Sequence, residues 1–569
     1  MIRPRSALLL SVLLAMPVAL TAQQEIGATG QVAAHTLSMA GRSTVYAPNG
    51  AIATSQPLAT AAGLDVLMHG GNAIDAAVTA AAVEAVVEAQ MTGPGGDCFA
   101  LLWSAKEHRL VGMNASGRSG SLMTRQALLA RGFETMPAGR AEDVTVPGAV
   151  AGWAALLERY GTISLAQALA PAIRLAQNGF PMSPIIARQW AQNLRKLQHN
   201  ANASATYLVD GERTPRAGEW FRNPDLAGSL RTIAEQGPAA MYGGELGQRI
   251  VTYVKEQGGF LTLADMRAMK VEWVEPISVG FRGYRVWELP PNNQGVAALE
   301  MLEILEPYHL KALGHNTAPY LHRLIEAKKL AFADLYHYIG DPADMTISPE
   351  ALLSPAYIAA RRAQIDTLNA AAEVEPGDVK LPSSETIYLT VADSAGNMVS
   401  FINSNYDLFG SGLVAPGTGF VLQDRGAGFT LTPGLANTVG PRKRPLHTLI
   451  PGFVTKPGPD GTQQPYMSFG VMGGSMQPQG HVQLLLNLLV FGMTPQAAVD
   501  AARFRHLSGL NVALEPPIGD AVRAELTAMG HHIVDESRVT FGGAQLIIKL
   551  PRGYAAASDP RKDGMAAGH

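Results

Sequence analysis

A single cysteine, Cys98, stands in 569 residues. It excludes an internal disulfide framework and a thiolate metal cage. Charge is scarce as well: Asp, Glu, Lys and Arg make up 16% of the chain and the formal net charge is -3. That balance offers no basic field for a nucleic-acid partner. The 14 histidines fall into no metal spacing, because His531-His532 and the isolated others lack the Cys or Glu partners a site would need. Past the first residues no apolar run is long enough to span a bilayer, and no internal repeat or low-complexity tract is present.

Hydrophobic residues, by contrast, make up 47%, enough to bury a large core. The chain opens with Arg3 and Arg5, an apolar run from Ala7 to Leu20 and a small-residue end at Thr21-Ala22-Gln23. This pattern predicts a signal peptide over residues 1–22 and an exported protein, periplasmic or secreted. Gln56 to Gln90 reads as two Ala-rich helices split by His69-Gly70-Gly71, the second opened by Asn72 with Asp75 three residues on. Cys98 to Trp103 reads as a buried strand. The preceding Met91-Thr92-Gly93-Pro94-Gly95-Gly96-Asp97 follows a helix and lacks a Gly-Lys-Ser/Thr ending, so it reads as tight packing and not as a phosphate loop. Ser164 to Gln167 forms a capping box. Pro319 to Ile339 is expected to be an amphipathic helix with one apolar face, and a helix is expected from about Gly480 to Phe491.

The most informative stretch is Glu385-Thr386-Ile387-Tyr388-Leu389-Thr390-Val391-Ala392-Asp393. Its alternation, the break at Ser394 to Asn397 and the resumption at Met398 to Ile402 predict a β-hairpin. Just upstream, Val374 to Ser384 is polar and Pro-containing, the kind of surface segment open to cutting. A threonine behind such a segment has two readings. It is a β-former opening a strand, or it becomes a chain end whose own α-amine, with pKa near ~8, takes the hydroxyl proton.

Taken with Gly70 to Ala77, the Gly93 to Phe99 loop, Phe409-Gly410-Ser411-Gly412, Lys443-Arg444-Pro445-Leu446 and Gly473-Gly474-Ser475, the hairpin resembles the gamma-glutamyltransferase family of N-terminal-nucleophile hydrolases, over roughly residues 45 to 550. The resemblance implies an α/β (α+β) fold, a four-layer αββα sandwich, cut between Glu385 and Thr386. The large subunit would be residues 23–385 and the small one 386–569, two pieces of one precursor. It assigns the nucleophile to Thr386, its supporting hydroxyl to Ser404 and the oxyanion hole to Gly473 and Gly474. No metal or organic cofactor is implied, and the partner is a small-molecule amide or gamma-glutamyl substrate.

In the substrate pocket the sequence departs from the transferases proper. Their Ser pair is here His447-Thr448, the acidic position that holds the α-amine falls on Gly428, and the amide positions fall on Tyr406 and Arg425. The arginine position falls near Ser116, with Arg118 two residues on. Losing an acid and gaining Arg425 favours an anionic acyl group without a free α-amine, as in members similar to cephalosporin acylases or oxamate amidohydrolases. The alternatives are a glutathione hydrolase and transpeptidase with a differently built pocket, or a non-catalytic protein binding small acids. A short Phe429 to Pro441 connection implies an open cleft and hydrolysis over transfer.

Overall fold

Strand alternation with both faces apolar dictates a sheet buried on both sides, and the Glu385–Ala392 strand meets that condition. Ile387, Leu389 and Val391 join one core cluster, while Tyr388 and Ala392 join another. The computed structural model describes residues 41–375 and 385–569. The expected signal peptide and the Pro376 to Ser384 part of the linker lie outside the described residues.

Two seven-stranded antiparallel sheets form the centre. One runs, edge to edge, through Met565–Gly568, Ala51–Thr54, Glu385–Ala392, Met398–Tyr406, Asp97–Ser104, Arg109–Ala115 and Glu272–Val274. The other runs through Val45–Ala47, Tyr554–Ser558, Gly543–Lys549, Gln463–Met472, Gly452–Pro457, Tyr284–Glu288 and Ile277–Phe281. Tyr388, Ile402, Phe453, Met472 and Ile547 fill the space between them. The close approach requires a residue without a side chain at Gly470, where a Cβ would lie 2.4 Å from the Tyr388 ring.

Helices cover both outer faces. Pro57–Met68, Ala73–Val87 and Ala149–Tyr160 lie against the first sheet, with Leu165–Asn178 packed on Ala73–Val87; Gly295–Leu305 and Met476–Leu489 lie against the second, with Ala318–Tyr338 packed on Gly295–Leu305. This is the αββα sandwich that the resemblance implied. The Ala73–Val87 helix is buried along its whole length, which its Ala-rich composition permits. Asn72 caps it by accepting from the Ile74 and Asp75 amides, and Asp75 returns a bond to the Asn72 amide, as the Asn72/Asp75 spacing predicted. The glycine loop packs as expected, since a Cβ at Gly95 would lie 2.1 Å from the Val421 carbonyl and one at Gly96 2.3 Å from that of Ser404.

Three expectations are corrected. The Ala318–Tyr338 helix is not one-faced: His322, Glu326, Lys328, Lys329 and Asp334 are buried along with its apolar residues. Its polar side is covered by residues 361–371 and by the C-terminal part of the chain, and it is satisfied by ion pairs, Lys329 to Glu326 at 2.8 Å and Arg361 to Asp334 at 2.9 Å. The helix expected from Gly480 begins earlier, at Met476, directly after the Gly473-Gly474 turn. A histidine cluster that spacing could not show also forms among the described residues, from His322, Glu326 and His531. Most of its donor atoms are engaged: His322 Nδ1 lies 2.8 Å from His531 Nε2, His322 Nε2 lies 2.8 Å from the Asp366 carbonyl, and Glu326 is paired with Lys329, while His531 Nδ1 has no hydrogen-bond partner among the described residues.

Candidate active site

Thr386 sits at a break in pairing. Glu385 is opposite Tyr406 but Ile387 is opposite Asn403, so the register shifts at Thr386. Such irregularities re-aim a side chain. The buried Thr386 Oγ1 donates to Ser404 Oγ at 3.3 Å, and Ser404 Oγ accepts from the Tyr406 amide at 2.8 Å. Tyr406 has φ +82°, a left-handed conformation that is costly for an aromatic residue. Its ring lies under Arg425, with the guanidinium carbon 4.4 Å from the ring centroid.

Arg425 is completely buried. Nη1 donates to Thr448 Oγ1 at 2.9 Å, while Nε, Nη2 and the neighbouring Tyr406 hydroxyl have no hydrogen-bond partner among the described residues. Burial lowers the Arg425 pKa to about 10, opposed by the carboxylates of Asp97, Asp424 and Asp407, so the group is still a cation at neutral pH. A buried cation with two open donors is costly unless an anion completes it.

Gly473 and Gly474 follow the Gln463–Met472 strand with φ +119° and +59°, conformations open chiefly to glycine. Their carbonyls accept from the Met476 and Gln477 amides at 3.0 and 3.1 Å. Gln294 closes the circuit: Nε2 donates to the Gly474 carbonyl at 2.8 Å and to the Thr448 carbonyl at 2.7 Å. A continuous series of contacts thus joins Thr386, Ser404, Tyr406, Arg425, Thr448, Gln294 and Gly474.

Two residues singled out in the sequence lie elsewhere in the network. His447 is buried edge-on to Phe99, ring centroids 4.6 Å apart. Its Nδ1 accepts from the Leu449 amide at 3.3 Å, which assigns the proton to Nε2, 3.1 Å from Asp97 Oδ2. Burial holds its pKa well below the ordinary 6.5, so it is a neutral, packed side chain. Arg118 is partly exposed and commits its guanidinium to Asp341, at 2.6 Å, and to the Arg442 carbonyl, at 3.1 Å. It lines a polar cavity of about 480 Å³ with Asp341, Asp344 and the Gly440 to Lys443 turn. The Phe429 to Pro441 connection is anchored through Phe429, Leu431 and Val439 against Met123, Leu128 and Phe260.

Asp97 and Gln294 were not legible as site residues. Asp97 Oδ1 accepts from the Gly117 and Gly148 amides and from Gln423 Nε2, while Oδ2 faces His447. Burial pushes its carboxyl up from 3.8 to about 6, against the Arg425 charge and these donors. Because the folded value exceeds the unfolded one, its contribution to stability is complete below pH ~4 and is lost as pH rises through about 6. Asp97→Asn is therefore expected to remove about 2 kcal/mol of the wild type's loss of stability between pH 4 and 7. Urea unfolding of both proteins at the two pH values checks it.

With the geometry in place, the comparisons with known proteins are specific. A cephalosporin acylase from Bacillus halodurans matches with a TM-score of 0.87 and 43% identity, covering 94% of this chain and 98% of that one. The glutathione hydrolase-like YwrD proenzyme of Bacillus subtilis (strain 168) is 38% identical over 522 residues, 90% of this chain and 97% of the relative. The oxamate amidohydrolase proenzyme of Klebsiella pneumoniae subsp. pneumoniae is 35% identical over 526 residues, again 90% and 97%. A sequence model described as gamma-glutamyltranspeptidase matches residues 59–569, and the chain belongs to that family of enzymes.

Proposed function

We propose that the chain is an exported precursor that cuts itself between Glu385 and Thr386 and then hydrolyses amides of small acids carrying a carboxylate. The proenzyme names of its relatives support the cut. In the precursor the Thr386 hydroxyl, hydrogen-bonded to Ser404, attacks the Glu385 carbonyl, the Glu385–Thr386 C–N bond breaks with the hydroxyl proton ending on the freed Thr386 amine, and water hydrolyses the resulting ester to leave Glu385 as a carboxylate. In the two-chain enzyme the freed α-amine of Thr386 takes the hydroxyl proton, Thr386 Oγ1 attacks the substrate carbonyl, and the amides of Gly473 and Gly474 hold the oxyanion. The amine then returns the proton to the leaving group, and water, less often an amine acceptor, releases the acyl group.

The observation that carries the substrate reading is Arg425, buried on Tyr406 with Nε and Nη2 open. A planar guanidinium in that state suits the far carboxylate of a dicarboxylate monoamide, with Thr448 fixing its other edge. The Klebsiella relative is named for oxamate, a monoamide acid without an α-amine, and this supports the same class. Glutaryl-p-nitroanilide should be turned over faster than γ-glutamyl-p-nitroanilide, which differs by one ammonium group. The reverse preference would overturn this reading. It would favour glutathione hydrolysis, for which the unpartnered Asp424 Oδ2 beside Arg425 is the candidate ammonium partner.

Ser404→Ala removes the hydroxyl that meets the nucleophile. Maturation and turnover are each expected to slow about tenfold, the equivalent of about 1.4 kcal/mol. The rate at which the cut chains appear after synthesis, and kcat of the matured fraction, check this.

A further inference from the structure

The geometry points to Gln294 as a positioning residue that locks the oxyanion loop to the acyl pocket. It rests on the reading of Thr386 and Gly474 above, and nothing in that reading requires it. Gln294 ends the turn Pro290-Pro291-Asn292-Asn293-Gln294, directly before the Gly295–Leu305 helix, and it is 2% exposed. Both of its side-chain contacts are to carbonyl oxygens, so the amide nitrogen must face them and both of its hydrogens are used. One acceptor is Gly474, the other Thr448, whose hydroxyl fixes Arg425.

The segment is held as a unit. The Gln294 amide donates to the His447 carbonyl at 3.2 Å, the His447 amide donates to the Asn292 carbonyl at 2.6 Å, and Asn292 Nδ2 donates to the Pro445 carbonyl at 2.8 Å. Residues 292–294 precede the proposed cut and residues 445–448 and 474 follow it, so this joint would cross the two subunits. A Gly-Gly turn has wide conformational freedom. The Met476 and Gln477 amides restrain it from the helix side; Gln294 restrains it from the pocket side. Because misplacement of catalytic groups by about 1 Å costs on the order of 10²-fold, the tie matters for the oxyanion and little for ground-state binding. Gln294 acts through Gly474 and Thr448 and touches no reacting atom.

The test uses the matured enzyme with two variants. Gln294→Glu keeps the shape but turns lone pairs onto both carbonyls, and Gln294→Met keeps the volume and loses both donors. Turnover of glutaryl-p-nitroanilide is read beside inhibition by two probes. Glutarate mimics the bound acid. 4-Boronobutanoate accepts the Thr386 oxygen at boron, with the hydroxyl proton passing to the α-amine, and becomes a tetrahedral anion facing the oxyanion hole. Both variants are expected to lose about 100-fold in kcat and in boronate affinity, with KM and the glutarate Ki within about threefold of wild type. Unchanged kcat in either matured variant overturns the inference. So does equal weakening of both probes, or failure of both variants to mature, since Gln294 would then be structural only. If instead wild type ignores the boronate while Thr386→Ala stays active, it is the nucleophile reading that has failed.

Discussion

Thr386→Ala is expected to accumulate as one uncut chain and to lose amide hydrolysis by about 10⁴-fold or more. In the mechanism proposed above the hydroxyl serves twice, first on the Glu385 carbonyl and then on substrate, and no other hydroxyl placed beside it among the described residues offers both. Ser404 is the nearest candidate, yet it lies inside the Met398–Tyr406 strand, with peptide bonds on both sides and no α-amine to free. The substitution removes one methyl and one hydroxyl from a buried strand position, so the fold should persist. Denaturing electrophoresis and a turnover assay read the two effects separately. Thr386→Ser is the informative companion, because it keeps the oxygen and should still be cut.

The second large effect is expected at Arg425. Arg425→Gln should lower kcat/KM for glutaryl-p-nitroanilide by about 10² to 10³-fold, and leave butyryl-p-nitroanilide, which has no far carboxylate, within about threefold. Hydrogen bonds to a charged group contribute about 1.5–3 kcal/mol, and breaking a fully buried ion pair costs about 3–5 kcal/mol. The lost affinity should fall between these. Folding should not suffer in proportion, since in the free enzyme the guanidinium is buried with two donors unused and its removal relieves that cost. Arg425→Lys should not rescue, because an ammonium cannot present a planar fork while lying over the Tyr406 ring. Equal losses for both substrates would place the far carboxylate elsewhere.

What could be read from the sequence was local. The hairpin of Glu385–Ala392 and Met398–Tyr406, the Asn72/Asp75 box and the Ser164/Gln167 box each depend on residues a few positions apart, and each appears where spacing put it. The Gly473-Gly474 turn was legible through resemblance, and its positive φ angles give the physical reason for glycine there. The misreadings share one cause: partners distant in the chain. The polar side of Ala318–Tyr338 looks solvent-facing until Arg361 and the 366–371 segment are set against it. Asp97 reads as the end of a glycine loop until His447 and Gln423 arrive from the far end of the sequence. Arg118, two residues from the family position, likewise has its ion-pair partner, Asp341, more than two hundred residues away in the chain. Gln294 gave no signal beyond a run of amide side chains after two prolines.

The most direct test is the mass of each chain after turnover of glutaryl-p-nitroanilide is stopped with acid. Two chains are expected, the smaller beginning Thr386-Ile387-Tyr388 and carrying a single glutaryl ester on its first residue. A fully active protein that remains one polypeptide, or an acyl group found on any other residue, would contradict it.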